Sequence, residues 1–176
     1  EIIGKENYPA RHAGFFLGFL YLLDGRHPDD LRRIVDAMST STYKMSEGIN
    51  RNWHTGMSAF FLAEYYRRNP GDALKQRLAE VLKEAEARME ADGGWRHTPG
   101  YEGYPKIGGN HVDLAILTAM MYSAMLEMKA AGVAVPAATL DLVRKNLEAN
   151  SDGLGLGYGT GNKLADASMG RSAFLW

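Results

Sequence analysis

Gly108-Gly109-Asn110-His111-Val112-Asp113-Leu114-Ala115-Ile116-Leu117-Thr118-Ala119-Met120-Met121 reads as a Gly–Asn loop running into a helix that is apolar on nearly every face. Such a helix has to be buried on most of its faces. The same order of residues recurs at Gly4-Lys5-Glu6-Asn7, Gly48-Ile49-Asn50 and Gly161-Asn162, so that Asn7, Asn50, Asn110 and Asn162 lie 43, 60 and 52 residues apart. Three of these loops carry a His just before or at the expected helix start: His12 in Arg11-His12-Ala13-Gly14, His54 in Trp53-His54-Thr55-Gly56, and His111. The spacing is too regular for chance and too loose for a tight solenoid. It points to one helical hairpin repeated, each unit burying its apolar face on its neighbours.

Working outward, helices of two kinds alternate. Residues 12–24, 55–68 and 111–131 are apolar nearly all round, as in Ala59-Phe60-Phe61-Leu62-Ala63. Residues 29–38, 72–91 and 137–149 are one-sided. In the second, Leu74, Leu78, Leu82, Ala85 and Met89 form a stripe, and Lys75, Arg77, Glu80, Lys83, Glu84 and Glu86 fill the rest. Their starts are marked by Pro28-Asp29, Pro70-Gly71-Asp72 and Pro136, where Pro costs no helical hydrogen bond. Strand alternation is absent. With a further buried helix from about Ala165, the order predicts an all-α protein. Its plan is an α/α toroid, a partial ring of about seven helices in inner/outer hairpin repeats, with inner helices parallel to one another.

The connections distinguish the two ends. Inner-to-outer turns are short: Asp24-Gly25-Arg26-His27, Asn69-Pro70-Gly71, and Gly132 to Val135. The returns, roughly 39–54, 92–110 and 150–164, are long, and loops of about 15 residues are uncommon unless functional. All three fall with the inner-helix N-termini on one rim, which is where a site is expected.

Composition narrows the partners. The 176 residues fit one domain, and 20 Lys+Arg against 21 Asp+Glu make nucleic acid an unexpected partner. Without cysteine there is no disulfide, thiolate nucleophile or Cys-ligated zinc. No apolar run reaches the ~18 residues of a transmembrane segment. Ala173-Phe174-Leu175-Trp176 stops partway into an apolar segment, so residues 1–176 are read as a single incomplete toroid domain, completed by the remainder of its own chain.

Asp92-Gly93-Gly94-Trp95 closes one outer helix, and Asp152-Gly153-Leu154-Gly155-Leu156-Gly157-Tyr158-Gly159 closes the next. Acidic-Gly-Gly-Trp between an amphipathic and a buried helix resembles the QW-type repeat of the terpenoid cyclase and protein prenyltransferase superfamily, nearest to its bacterial branch. The match departs at Met89, where that pattern wants Gln, and at Tyr158, which stands for the Trp. The resemblance implies an α/α toroid with its cavity at the mouth of the inner helices. It does not extend to the chemistry. His27-Pro28-Asp29-Asp30 lies on the short-turn side and does not fit the Asp-rich proton donor, and the prenyltransferase zinc set needs a Cys.

Several rim residues carry chemistry. His54, His111 and Asp113 are the candidate acid–base residues, although Asn110 with Asp113 three residues on is also a capping-box arrangement. His12, Arg51, Trp53, Trp95, Tyr101, Lys106, Tyr158 and Asp166 are candidates for binding substrate: the cations for an anion, the aromatics for stacking a sugar or lining an apolar pocket. Lys5, Arg11, Arg51, Lys106 and Lys163 all precede inner helices, where a cation opposes the helix dipole and an anion would be welcome. Neither a metal nor a cofactor is expected, since the histidines lack His-x₃-His spacing. The expected function is a cleft for a small-molecule or glycan ligand that is anionic, carbohydrate or prenyl-like. The alternatives are a non-catalytic binding or structural repeat segment, and an α/α-barrel glycan hydrolase or lyase. For the last, Glu47, Glu102, Asp113 and Asp166 supply acids without a decisive pair.

Overall fold

Gly and Pro punctuate this chain where its helices start and stop. The computed structural model describes residues 8–39, 51–96, 114–151 and 155–156. Among them lie six helices: α1 (Tyr8–Asp24), α2 (Pro28–Ser39), α3 (Arg51–Arg68), α4 (Asp72–Glu86), α5 (Ala115–Ala130) and α6 (Ala137–Ala149). An isolated bridge joins Ser151 to Leu156. The described residues are thus all-α.

Local chemistry sets the boundaries. Gly25, at φ +69°, ends α1 with its N–H on the Tyr21 carbonyl at 2.9 Å. Gly132, at φ +80°, ends α5. There the Val133 N–H reaches back to the Met128 carbonyl at 2.9 Å and the Gly132 N–H to that of Lys129 at 3.0 Å, a Schellman stop whose Val133 and Met128 are both buried. Pro28 opens α2 with Asp29 and Asp30 in its first turn, and Pro136 caps α6.

Burial separates α5 from α2 and α4 as the periodicity requires, whereas α1, also apolar nearly all round, leaves Phe16, Leu20 and Leu23 exposed. On α5, Ala115, Leu117 to Met121, Ala124, Met125 and Met128 are buried. On α4 only Leu78, Val81, Leu82 and Ala85 are, and on α2 only Ile34, Val35 and Met38. Glycines let the apolar helices approach closely. A Cβ at Gly56 of α3 would come within 2.6 Å of Met120 and 3.4 Å of Leu117 on α5, and one at Gly18 of α1 within 2.9 Å of the Phe61 ring on α3. Phe19 packs edge-on against Phe61, centroids 5.3 Å apart.

These contacts fix direction. Gly18 meets Phe61, and four residues on, the Leu22 carbonyl accepts from Arg68 at 3.3 Å, so α1 and α3 run the same way. The starts of α3 and α5 share one connecting segment: Asn52 donates to the Arg96 carbonyl at 2.7 Å, and the Leu114 N–H to that of Trp95 at 2.9 Å. α1, α3 and α5 are therefore parallel, with α3 in the middle. At their opposite end Arg68 pairs with Glu64 at 2.7 Å, and Arg67 with Glu64 at 3.1 Å and Glu127 of α5 at 3.5 Å. The hydrogen bond to Glu64, then the charge of Glu127, raise the Arg67 pKa further. Two cations in the last turn of α3 also suit its dipole.

Several boundaries differ from the sequence-based expectation. α1 (Tyr8–Asp24) and α3 (Arg51–Arg68) are helical already ahead of 12 and 55, which puts His12 and His54 inside helices. α5 begins at Ala115, not His111: Leu114 is its N-cap, held extended (φ −87°, ψ 108°) by its bond to Trp95. Asn110 and Asp113, read as a capping box, lie outside the described residues. α4 stops at Glu86 rather than 91, because the chain turns so that the Glu90 N–H can meet the Gly94 carbonyl at 2.9 Å. The two later outer helices also do not stand level. Thr139, in the first turn of α6, donates to Glu86 at the end of α4 at 2.7 Å, and Leu142 abuts Gly93. Residues 40–50 and 97–113 and the helix expected from Ala165 lie outside the described residues.

Candidate functional site

Parallel inner helices bring the first turns of α3 and α5 to one end of the molecule, with residues 87–96 between them. The described part of the rim is built around Arg88. Its Nε donates to Asn52 Oδ1 at 2.9 Å and its Nη2 to Thr55 Oγ1. Its Nη1 lies 3.5 Å from the half-exposed carboxylate of Glu84. The Arg88 side chain is 9% exposed, so a cation is held nearly out of water against the first turns of α3. Beyond it, Arg96 pairs with Glu90 at 3.3 Å.

Trp95 is enclosed. Its exposure is 0%, its indole N–H donates to the Ala85 carbonyl at 2.9 Å, and its backbone N–H to Thr118 Oγ1 at 3.2 Å. The side chain expected to form a wall of the cleft instead plugs the junction of α4 and α5, which is the packing role that Gly-Gly-Trp allows. Gly93, at φ +91°, makes the turn behind it, and Asp92 accepts from the Gly94 N–H at 3.1 Å.

His54 is also buried, at 4% exposure, beside Asn52 and Thr55 on α3. Trp53 is half-buried against the core. Arg51 opens α3 and His12 lies within α1, with side chains outside the described residues. His111, Asp113, Tyr101, Lys106, Tyr158 and Asp166 fall outside them altogether, and with them the expected grouping of His54, His111 and Asp113.

Sequence reasoning missed Asn52, Thr55 and Arg88. A signal was present: Asn52, Thr55 and Ser58, spaced by three, share one side of a helix otherwise read as apolar, and all three are buried. Electrostatics adds a second pattern. The first turns of α1, α3 and α5 hold no acid, whereas α2 has Asp29 and Asp30 and α4 has Asp72. Of the outer helices α2 and α4 compensate their positive ends, whereas α6, like α1, α3 and α5, has no acid in its first turn. Among the described residues no group of three His, Asp or Glu could hold a metal ion, and no helix is long and apolar enough to cross a membrane.

Residues 4–172 match the family described as Domain of unknown function (DUF6288), and the chain belongs to that family. No curated protein and no solved structure matches it.

Proposed function

We propose that the chain forms part of an α/α toroid whose rim, at the N-termini of the inner helices, binds an anionic ligand such as a phosphate, a carboxylate or a uronate-bearing glycan. The observation that supports this is the Arg88 guanidinium, nearly buried against the first turns of α3. A cation at the positive end of a helix is disfavoured by ~0.3–1 kcal/mol; the half-exposed Glu84 carboxylate offsets part of that, and a bound anion would add to it. The first turns of α1, α3 and α5 hold no acid that would compete with a ligand's charge, a property they share with α6. Helix N-termini bind anions through their free N–H groups. In this reading Arg51 and Lys106 meet the ligand's charge, while Trp53, Tyr101 and Tyr158 offer faces to a sugar ring. The likeness of Asp92-Gly93-Gly94-Trp95 to the QW-type repeat supports the toroid plan, since the buried indole packs an outer helix against the next inner one.

Calorimetric titration with inorganic phosphate, glucuronate and an uncharged hexose, at low ionic strength, tests the reading. Arg51→Ala and Lys106→Ala should each weaken binding of the anions by ~10-fold, the effect of about 1.4 kcal/mol, with unchanged melting. Absence of binding, or binding indifferent to both variants and to added salt, rejects it.

A second reading is a structural repeat segment with no ligand. The closure of Trp95 and His54 favours it, since both fill the interior beneath the rim. It expects none of these compounds to bind.

A further inference from the structure

We draw no further inference here: the strongest candidate, the exposed apolar stripe of Phe16, Leu20 and Leu23 on the face of α1 turned away from α3, carries nothing because nothing in the structure shows what covers it.

Discussion

Arg88 Nε and Asn52 Oδ1 lie 2.9 Å apart, and their hydrogen bond joins the segment after α4 to the first turn of α3. Asn52 uses both ends of its amide, since its Nδ2 holds the Arg96 carbonyl at 2.7 Å. Two side chains thus fasten both ends of the 88–96 connection to one helix.

Arg88→Met should therefore cost more than an ordinary surface change. It leaves the Asn52 and Thr55 oxygens buried without their donor, at about 1–3 kcal/mol. Arg88→Lys should recover little, because an ammonium lacks the fork that reaches both acceptors. A double-mutant cycle with Asn52→Ala, read by urea unfolding, should give a coupling of about 1 kcal/mol or more. Additive effects would show the bond to be without weight.

Three glycines should respond differently to alanine. At Gly93, φ is +91° and the new Cβ would sit 2.6 Å from the Leu142 carbonyl oxygen, a backbone atom of α6. The backbone strain alone is ~1–2 kcal/mol, and α6 would have to shift as well, so Gly93→Ala should cost about 2 kcal/mol or more. Gly25 has φ +69° with open space around it, so its replacement should cost only the strain. Gly56 should be nearly neutral: the crowding atom is the terminal methyl of Met120, which can rotate, and alanine gains ~1 kcal/mol in helix propensity. Ranking the three melting temperatures checks the order 93, 25, 56.

Trp95 should report its burial directly. In a variant with Trp53 and Trp176 replaced by Phe, its emission should be blue-shifted and resist acrylamide quenching, as a fully enclosed indole requires. Water-like emission would mean that it faces a cleft after all. Trp95→Phe removes the donor to the Ala85 carbonyl and should destabilise by about 1–3 kcal/mol.

The helices, and the contrast between α4 and α5, were legible because burial imposes a period. Leu78, Leu82 and Ala85 repeat every three or four residues and are buried, while nearly continuous apolar residues mark α5. The short turns were legible because Gly25 and Gly132 need a left-handed backbone and Pro28 a helix start. Helix starts on the rim were not. Leu114 carries no capping side chain, and its position depends on the Trp95 carbonyl, a partner 19 positions away that no local pattern announces. For the same reason neither Arg88 nor Asn52 stands out in the sequence. Their meaning comes from a contact 36 residues apart in sequence.

His54 offers the sharpest separation of fold from site. It lies on the turn of α3 that carries Asn52 and Thr55, and its imidazole is almost wholly covered. Truncation to Ala would remove buried ring contacts from the inner layer and disturb the helix turn on which the Arg88 bonds are made. A cost of about 2 kcal/mol is expected for such a loss, which in a chain of this length is a fall of ~4–8 °C in melting temperature. Binding of phosphate or glucuronate, measured well below that transition, should then change by less than threefold, in contrast to the larger effect of Arg51→Ala. The opposite pattern, a melting temperature held within a degree and anion binding abolished, would place the His54 imidazole among the groups that touch the ligand. Thermal melts and titrations on the same two variants distinguish these outcomes.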